Sequence, residues 1–219
     1  MKKIFCLLCC IFLFSKVSAK SNLNLAPNSK SAILIETSTG TVLFEKNADE
    51  KLAPASMTKM MSMLLIIESI EKNVLTWDQM ITVSENASKM GGSQILLATG
   101  EQMSVEDLFK GIAIASGNDA VVALAEAIGG SVDNFVSMMN ERARELGLKN
   151  TNFKNPHGLD EVNHYSTARD MSIIARELVK HEKVLEFTSI YETYLRENLD
   201  TKIWLVNTNK VVFIFCNNT

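Results

Sequence analysis

An α+β domain is the fold class this sequence predicts: an N-terminal hairpin and C-terminal strands in one antiparallel sheet, with a helical block. Three observations point there. Residues 31–46, SAILIETSTGTVLFEK, alternate apolar and polar side chains about a Ser38-Thr39-Gly40 turn, as hairpin strands do. Residues 55–180 then carry a succession of helical patterns with capping and stop signals. From Thr188 the chain turns aromatic and β-branched again, which reads as strands. With 219 residues, 47% of them hydrophobic and 21% charged, the chain can bury one sizeable core, and its composition argues against long disorder.

The first nineteen residues stand apart. MKKIFCLLCCIFLFSKVSA has Lys2 and Lys3, an apolar run from Ile4 to Phe14, then Val17-Ser18-Ala19. That order predicts a secretory signal peptide over residues 1–19. The apolar run is too short to remain as a membrane anchor. Leu7-Leu8-Cys9 hints at a lipoprotein cleavage box, but a cut there would leave almost no signal. Cys6, Cys9 and Cys10 all lie in this segment, so the mature chain keeps only Cys216 and can form no internal disulfide. Export without disulfides suits a bacterial periplasm or cell envelope better than a small eukaryotic secreted domain. Cleavage removes three lysines and no acid, taking the formal charge from −3 to −6. No basic patch stands out, and no nucleic-acid partner is expected.

The helices follow from local signals. PASMTKMMSMLLIIESI, residues 54–70, predicts a helix from 55 to about 72 that is apolar nearly all round, hence central and buried. Met80-Ile81-Thr82-Val83 reads as a strand, and Gly91, Gly92 and Gly100 break the next stretch into turns and short pieces. Ser104-Val105-Glu106-Asp107 is a capping-box start, with helix to about Ala115. Asp119–Ile128 is alanine-rich and stopped by Gly129-Gly130; Asp133–Leu146 is stopped by Gly147. Residues 150–166 are a polar loop. Thr167-Ala168-Arg169-Asp170 opens a further capped helix, to about Lys180.

Two places interrupt these apolar patterns with chemistry. Ser56 and Lys59 share one face at the mouth of the central helix. A serine hydroxyl is a weak nucleophile until a neighbour takes its proton. Desolvation lowers a lysine pKa and fits it for that task, and the positive helix end favours an oxyanion nearby. The same spacing recurs at Ser69-Ile70-Glu71-Lys72, on another face at the far end of the helix, and reads as solvated surface. The second place is Ser116-Gly117-Asn118, between two apolar helical runs; Asn118 or Asp119 there also reads as an N-cap. Ser84-Glu85-Asn86 repeats the Ser-x-Asn pattern without buried flanks and reads as a turn.

Ser-x-x-Lys at a helix start followed by Ser-x-Asn between helices resembles the penicillin-binding proteins and serine β-lactamases. PASMTKMM, GSQILLATGEQMSVEDLFKGIAIASGNDA, NTNFKNPHGLD and HYSTARDMSIIARELV narrow the resemblance to the low-molecular-mass, serine-type D-alanyl-D-alanine carboxypeptidases, over about residues 30–210. The resemblance implies a β-lactamase/transpeptidase-like domain. It implies Ser56 as acyl-enzyme nucleophile, Lys59 as general base, Ser116 as proton relay and Asn118 as a donor to the substrate's backbone amide. It implies removal of the terminal D-alanine from peptidoglycan stem pentapeptides, β-lactam antibiotics as inhibitors, and no metal or organic cofactor. His157, His164 and His181 show no ligand spacing, and His157 reads as a loop histidine near the cleft.

The sequence departs from that family in one respect. It contains no Lys-Thr-Gly, the family's third motif, and Ser38-Thr39-Gly40 lies in the wrong part of the chain. In relatives the motif follows the segment that here reads Asn207-Thr208-Asn209-Lys210. Residues 20–219 are therefore expected to be an incomplete catalytic domain, without the third motif, the C-terminal β-domain or a membrane anchor. Two other readings stand beside the carboxypeptidase: a catalytically dead remnant that at most binds penicillin or cell-wall peptide, and a serine β-lactamase. The latter needs an acid placed for deacylation, for which Glu197-Asn198 is a poor candidate. Cleavage after Ala19 is expected, leaving Lys20 as the mature N-terminus. Mass spectrometry of a periplasmic extract checks it, and an exported chain that keeps Met1 would refute the signal peptide.

Overall fold

The computed structural model describes residues 25–197 and 199–212. The predicted signal segment 1–19 and all four cysteines lie outside them. The chain opens with the expected hairpin. Strands β1 (Ala32–Ile35) and β2 (Val42–Lys46) pair antiparallel, with an irregularity between Leu34 and Ile35. Glu36 closes the turn by accepting from the backbone N–H and hydroxyl groups of Ser38 and Thr39. Those hydrogen bonds, the Thr39 hydroxyl first, hold its carboxyl at about 2.

A single 3₁₀ turn, Ala55–Thr58, leads into α1 (Lys59–Glu71). Two short strands, β3 (Met80–Thr82) and β4 (Gln102–Ser104), pair around α2 (Glu85–Ser88). Ser84 is not the plain turn its sequence suggests: its side chain accepts from the Ala87 N–H and caps α2. Ser104 likewise caps α3 (Val105–Ala115), Ser131 caps α5 (Val132–Glu145) and Thr167 caps α6 (Ala168–Leu178). Between α3 and α5 lies α4 (Asn118–Gly129). A short α7 (Glu182–Thr188) precedes β5 (Glu192–Leu195) and β6 (Ile203–Val206), which pair antiparallel.

The core forms around α1, which packs against α3, α4, α5 and α6. Met61, Leu64 and Ile66 are fully buried there, as an all-round apolar helix requires. Ser69 is also buried, not solvated, because its hydroxyl donates to the Leu65 carbonyl one turn back. In the same core Trp77, Phe109 and Phe187 pack against one another, with ring centroids 5.4 to 5.6 Å apart. No single helix among the described residues is long and apolar enough to cross a membrane.

The fold class is α+β as expected, but the single sheet is not seen among the described residues. The strands form three separate two-stranded sheets. The reason is where each hairpin docks. β1 lies against α6, whereas β6 lies against α3. Thr208 N–H donates to the Ile114 carbonyl, and Asn207 bonds the carbonyls of Thr188 and Ile190, which holds the C-terminal hairpin at α3 and α7. Truncating Phe109 to Ala removes one of the three mutually packed rings. A loss of about 3–5 kcal/mol is expected, measured by urea unfolding with Trp77 fluorescence as one probe.

Candidate active site

Ser56 sits exposed in the 3₁₀ turn, and Lys59 is the first residue of α1. In 3₁₀ geometry residues three apart eclipse, so the two side chains stand one above the other. Lys59 Nζ lies 3.4 Å from Ser56 Oγ and donates at 2.8 Å to the His157 carbonyl. Lys59 is only 3% exposed, so it is buried deeper than the half-solvated mouth its sequence suggests. Both partners are neutral oxygens, and burial brings its pKa down to about 8. At pH 7.5 about a quarter of the molecules then hold it as the neutral amine. One turn on, buried Ser62 donates to the Pro156 carbonyl at 2.7 Å.

The segment that receives these bonds is the polar loop after α5. Asn155 pins it, accepting from Gly158 N–H and donating to the Leu159 carbonyl. Gly158 adopts φ +90°, and a Cβ there would come within 1.9 Å of the Ala55 carbonyl oxygen. Only glycine fits between this loop and the Ser56 turn. The His157 ring takes no part in the lysine contact. Its Nδ1 accepts from Leu159 N–H, and burial, followed by the charge of Lys59, lowers its pKa to about 4. His157 therefore serves the site through its backbone, a role that leaves no trace in residue spacing.

Ser116 and Asn118 lie at the junction of α3 and α4, the two helices that flank α1. Ser116 caps α3 in the left-handed region, φ 58° and ψ 34°, an uncommon conformation for a residue with a side chain. Its Oγ is buried and has no hydrogen-bond partner, so no bond joins it to Lys59. Asn118 is 4% exposed; its Nδ2 donates to the Gly91 carbonyl at 2.7 Å, while its Oδ1 is buried without a partner. The free atom of Asn118 is thus an acceptor, where the family resemblance implies a donor. Buried polar atoms without partners are rare in folded proteins, and two in adjacent turns mark a place shaped for something else to bind.

Asp119 is the residue the sequence understates. The α4 N-cap is Gly117, and no side chain caps the helix. Instead the buried Asp119 carboxylate accepts from the N–H groups of Ile95, Leu97 and Ala120. It thereby ties the 91–97 loop to the Ser116-Gly117-Asn118 junction, and Asn118 N–H adds a 2.7 Å bond to the Ser93 carbonyl. From the other side Arg196 bonds Glu101 and the carbonyls of Ile95 and Leu96.

An apolar groove of about 450 Å³ lies elsewhere, lined by Ile33, Ile35, Met57, Met60, Met171 and Arg176. It touches none of Ser56, Lys59, Ser116 or Asn118, and its size reflects the uncovered face of β1 beside α6 rather than any assembled chemistry. Among the described residues no three His, Cys, Asp or Glu side chains are grouped as metal ligands are.

Comparisons with known proteins identify the family. Residues 16–218 match the family described as peptidase S11, D-alanyl-D-alanine carboxypeptidase. The chain belongs to that family. The match runs past Lys210, where the resemblance was expected to end. The chain is 57% identical over 199 residues to the D-alanyl-D-alanine carboxypeptidase DacF of Bacillus subtilis, covering 91% of this chain and 51% of the relative. It is 37% identical to DacC of Escherichia coli, covering 83% of this chain and 48% of the relative. Penicillin binding protein 5 from Haemophilus influenzae superposes with a TM-score of 0.80 at 35% identity, over 86% of this chain and 54% of that one. DacD from Francisella tularensis gives a TM-score of 0.81 at 29% identity, over 89% and 58%. These likenesses establish the transpeptidase-like fold. The chain spans about half the length of the curated relatives it matches.

Replacing Asp119 with Ala leaves three N–H groups without their acceptor. A destabilisation on the order of 3 kcal/mol is expected, with faster hydrogen exchange at the amides of Ile95 and Leu97. Chemical denaturation and exchange mass spectrometry measure the two effects.

Proposed function

We propose that Ser56 is the nucleophile and Lys59 the general base of a serine D-alanyl-D-alanine carboxypeptidase site, with Ser116 as proton relay and Asn118 as substrate-binding residue. The substrate class is the peptidoglycan stem pentapeptide, in the periplasm or cell envelope, and β-lactams are the corresponding inhibitors. One observation carries this reading: a buried lysine with a pKa of about 8, held 3.4 Å from an exposed serine hydroxyl. Its membership of the D-alanyl-D-alanine carboxypeptidase family supports the substrate class.

The chemistry follows from that geometry. Neutral Lys59 takes the Ser56 proton as Oγ attacks the carbonyl carbon of the penultimate D-alanine. The negative charge that develops lies near the positive end of the 3₁₀ turn and α1. The C–N bond to the terminal D-alanine then breaks, and the departing amine takes its proton from the lysine by way of Ser116. Water hydrolyses the Ser56 ester and restores the free serine. The 3.4 Å separation is long for a hydrogen bond, as such contacts often are before substrate tightens them. Asn118 Oδ1 can accept an N–H from the bound peptide, and this assigns a role to one of the two orphaned atoms. Formation of the acyl-enzyme on Ser56 is the readout closest to this geometry.

A fluorescent penicillin is expected to add its mass to the peptide that contains Ser56, and Ser56→Ala to abolish the adduct. An adduct that survives this change, or maps to Ser69, would sink the assignment. The pH dependence has a definite sign. The active base is the deprotonated amine, so the acylation rate should rise about tenfold per pH unit below the lysine pKa and level off above about 8. A rate that falls across pH 6–8 in stopped-flow labelling would show that Lys59 is not the base.

A further inference from the structure

We propose that His164 is a positioning residue for the Ser56–Lys59 pair, acting through the hydroxyl of Thr58. This rests on the reading of Ser56 as nucleophile and Lys59 as base. Thr58 lies between them in the chain, completes the 3₁₀ turn and is fully buried. Its Oγ1 is 2.8 Å from His164 Nε2, across 106 residues of sequence. His164 is itself 5% exposed.

The surroundings decide which nitrogen carries the proton. Lys154 N–H donates to His164 Nδ1 at 3.0 Å, so Nδ1 must be the bare acceptor. The ring is therefore the Nε2–H tautomer, and Nε2–H donates to Thr58 Oγ1. The ring's own backbone is fixed on both sides. His164 N–H donates to the Glu161 carbonyl, Tyr165 exchanges two bonds with Asn152, and Ser166 exchanges two with Leu52, just before the turn. Phe153 presents its ring to the imidazole at 6.0 Å. A rigid donor thus reaches Thr58, one of the two residues between nucleophile and base and the one next to Lys59.

The same loop reaches the turn at three other points: the His157 carbonyl at Lys59, the Pro156 carbonyl at Ser62, and Gly158 against the Ala55 carbonyl. The first two hold the side chains of Lys59 and Ser62, and the third is a close approach of two backbones. His164 holds the orientation of the Thr58 side chain inside the turn. Protonating Nδ1 would set two N–H groups against each other at Lys154 and loosen the ring. Burial opposes that step, while the carboxylates of Glu161 and Asp160 favour it; the balance lies below the usual histidine range. His157 also interacts with the ring, and the charge of Lys59 acts on His157.

Four measurements on the full chain test the proposal. Long-range ¹H–¹⁵N NMR at pH 7.5 should show His164 neutral, with Nε2 protonated; the opposite tautomer overturns the proposal. His164→Phe keeps the ring and loses the donor, and should slow Ser56 acylation by fluorescent penicillin on the order of 10- to 100-fold. His164→Gln, which returns an N–H near the Nε2 position, should recover part of that loss at similar thermal stability. Thr58→Val should match His164→Phe, and the two together should be no slower than either alone; losses that multiply would show that His164 does not act through Thr58. The fourth readout needs no acylation: the NMR titration of ¹³Cε-labelled Lys59 should move toward the ordinary lysine range in His164→Phe. A wild-type chain that never acylates defeats the proposed function, whereas an unmoved Lys59 titration in His164→Phe defeats the positioning role.

Discussion

The burial of one ammonium group without a counter-charge is the constraint from which the site follows. α1 is apolar on nearly every side, so its first residue, Lys59, is drawn out of water with it. An ion pair would be the ordinary remedy for a buried lysine. It would also hold the proton on and return the pKa to its usual range, leaving no base. The protein uses neutral oxygens instead, the His157 carbonyl and the Ser56 hydroxyl. Everything nearby serves that choice. Gly158 lets the carbonyl-bearing loop close on the turn, and Ser62 fastens the same loop one residue earlier.

Seven non-glycine residues among those described hold a positive φ, and two of them lie at the site. Ala55 and Ser116, both with side chains, hold φ of 47° and 58°. Each such conformation costs on the order of 1–3 kcal/mol and persists only where the surroundings leave no alternative. At Ala55 those surroundings are Pro54 behind and the 155–158 loop above. At Ser116 they are two packed helices and the Asp119 carboxylate, which holds the neighbouring loop by its amides. The strained residues flank the two parts of the site, so the rigidity of the core is spent on placing Ser56 and Ser116.

Much of this was legible in the sequence because it is local. The hairpin shows in alternation at Ile33, Ile35, Val42 and Phe44, and the helix starts show in Ser104 and Thr167, whose caps need only their next three residues. Ser56 and Lys59 were legible because their spacing and the apolar run after them coincide. The rest was hidden because it depends on contacts between distant segments. His164 meets Thr58 across 106 residues, and His157 acts through a carbonyl that every residue type possesses. Asp119 looked like a helix cap, because a carboxylate in a first turn is the same sequence whether it binds its own helix or a loop beside it. The placement of the two outer hairpins on different helices was hidden for the same reason.

The site is held largely by main-chain oxygens: Gly91 and Ser93 for Asn118, Pro156 and Pro54 around the turn, His157 for Lys59. A carbonyl does not change when its side chain does. Outside the glycines that need special backbone angles, these positions can accept new residue types with little effect on what they hold. They cannot accept a change in chain length. Adding or deleting one residue in 91–97 or 154–164 would bring a different carbonyl, or none, to the polar groups of Asn118 or Lys59. In lineages built on this plan, those two loops should keep a fixed count and drift in spelling only outside the residues whose side chains or backbone angles are used, such as Asn155, Gly158 and His164.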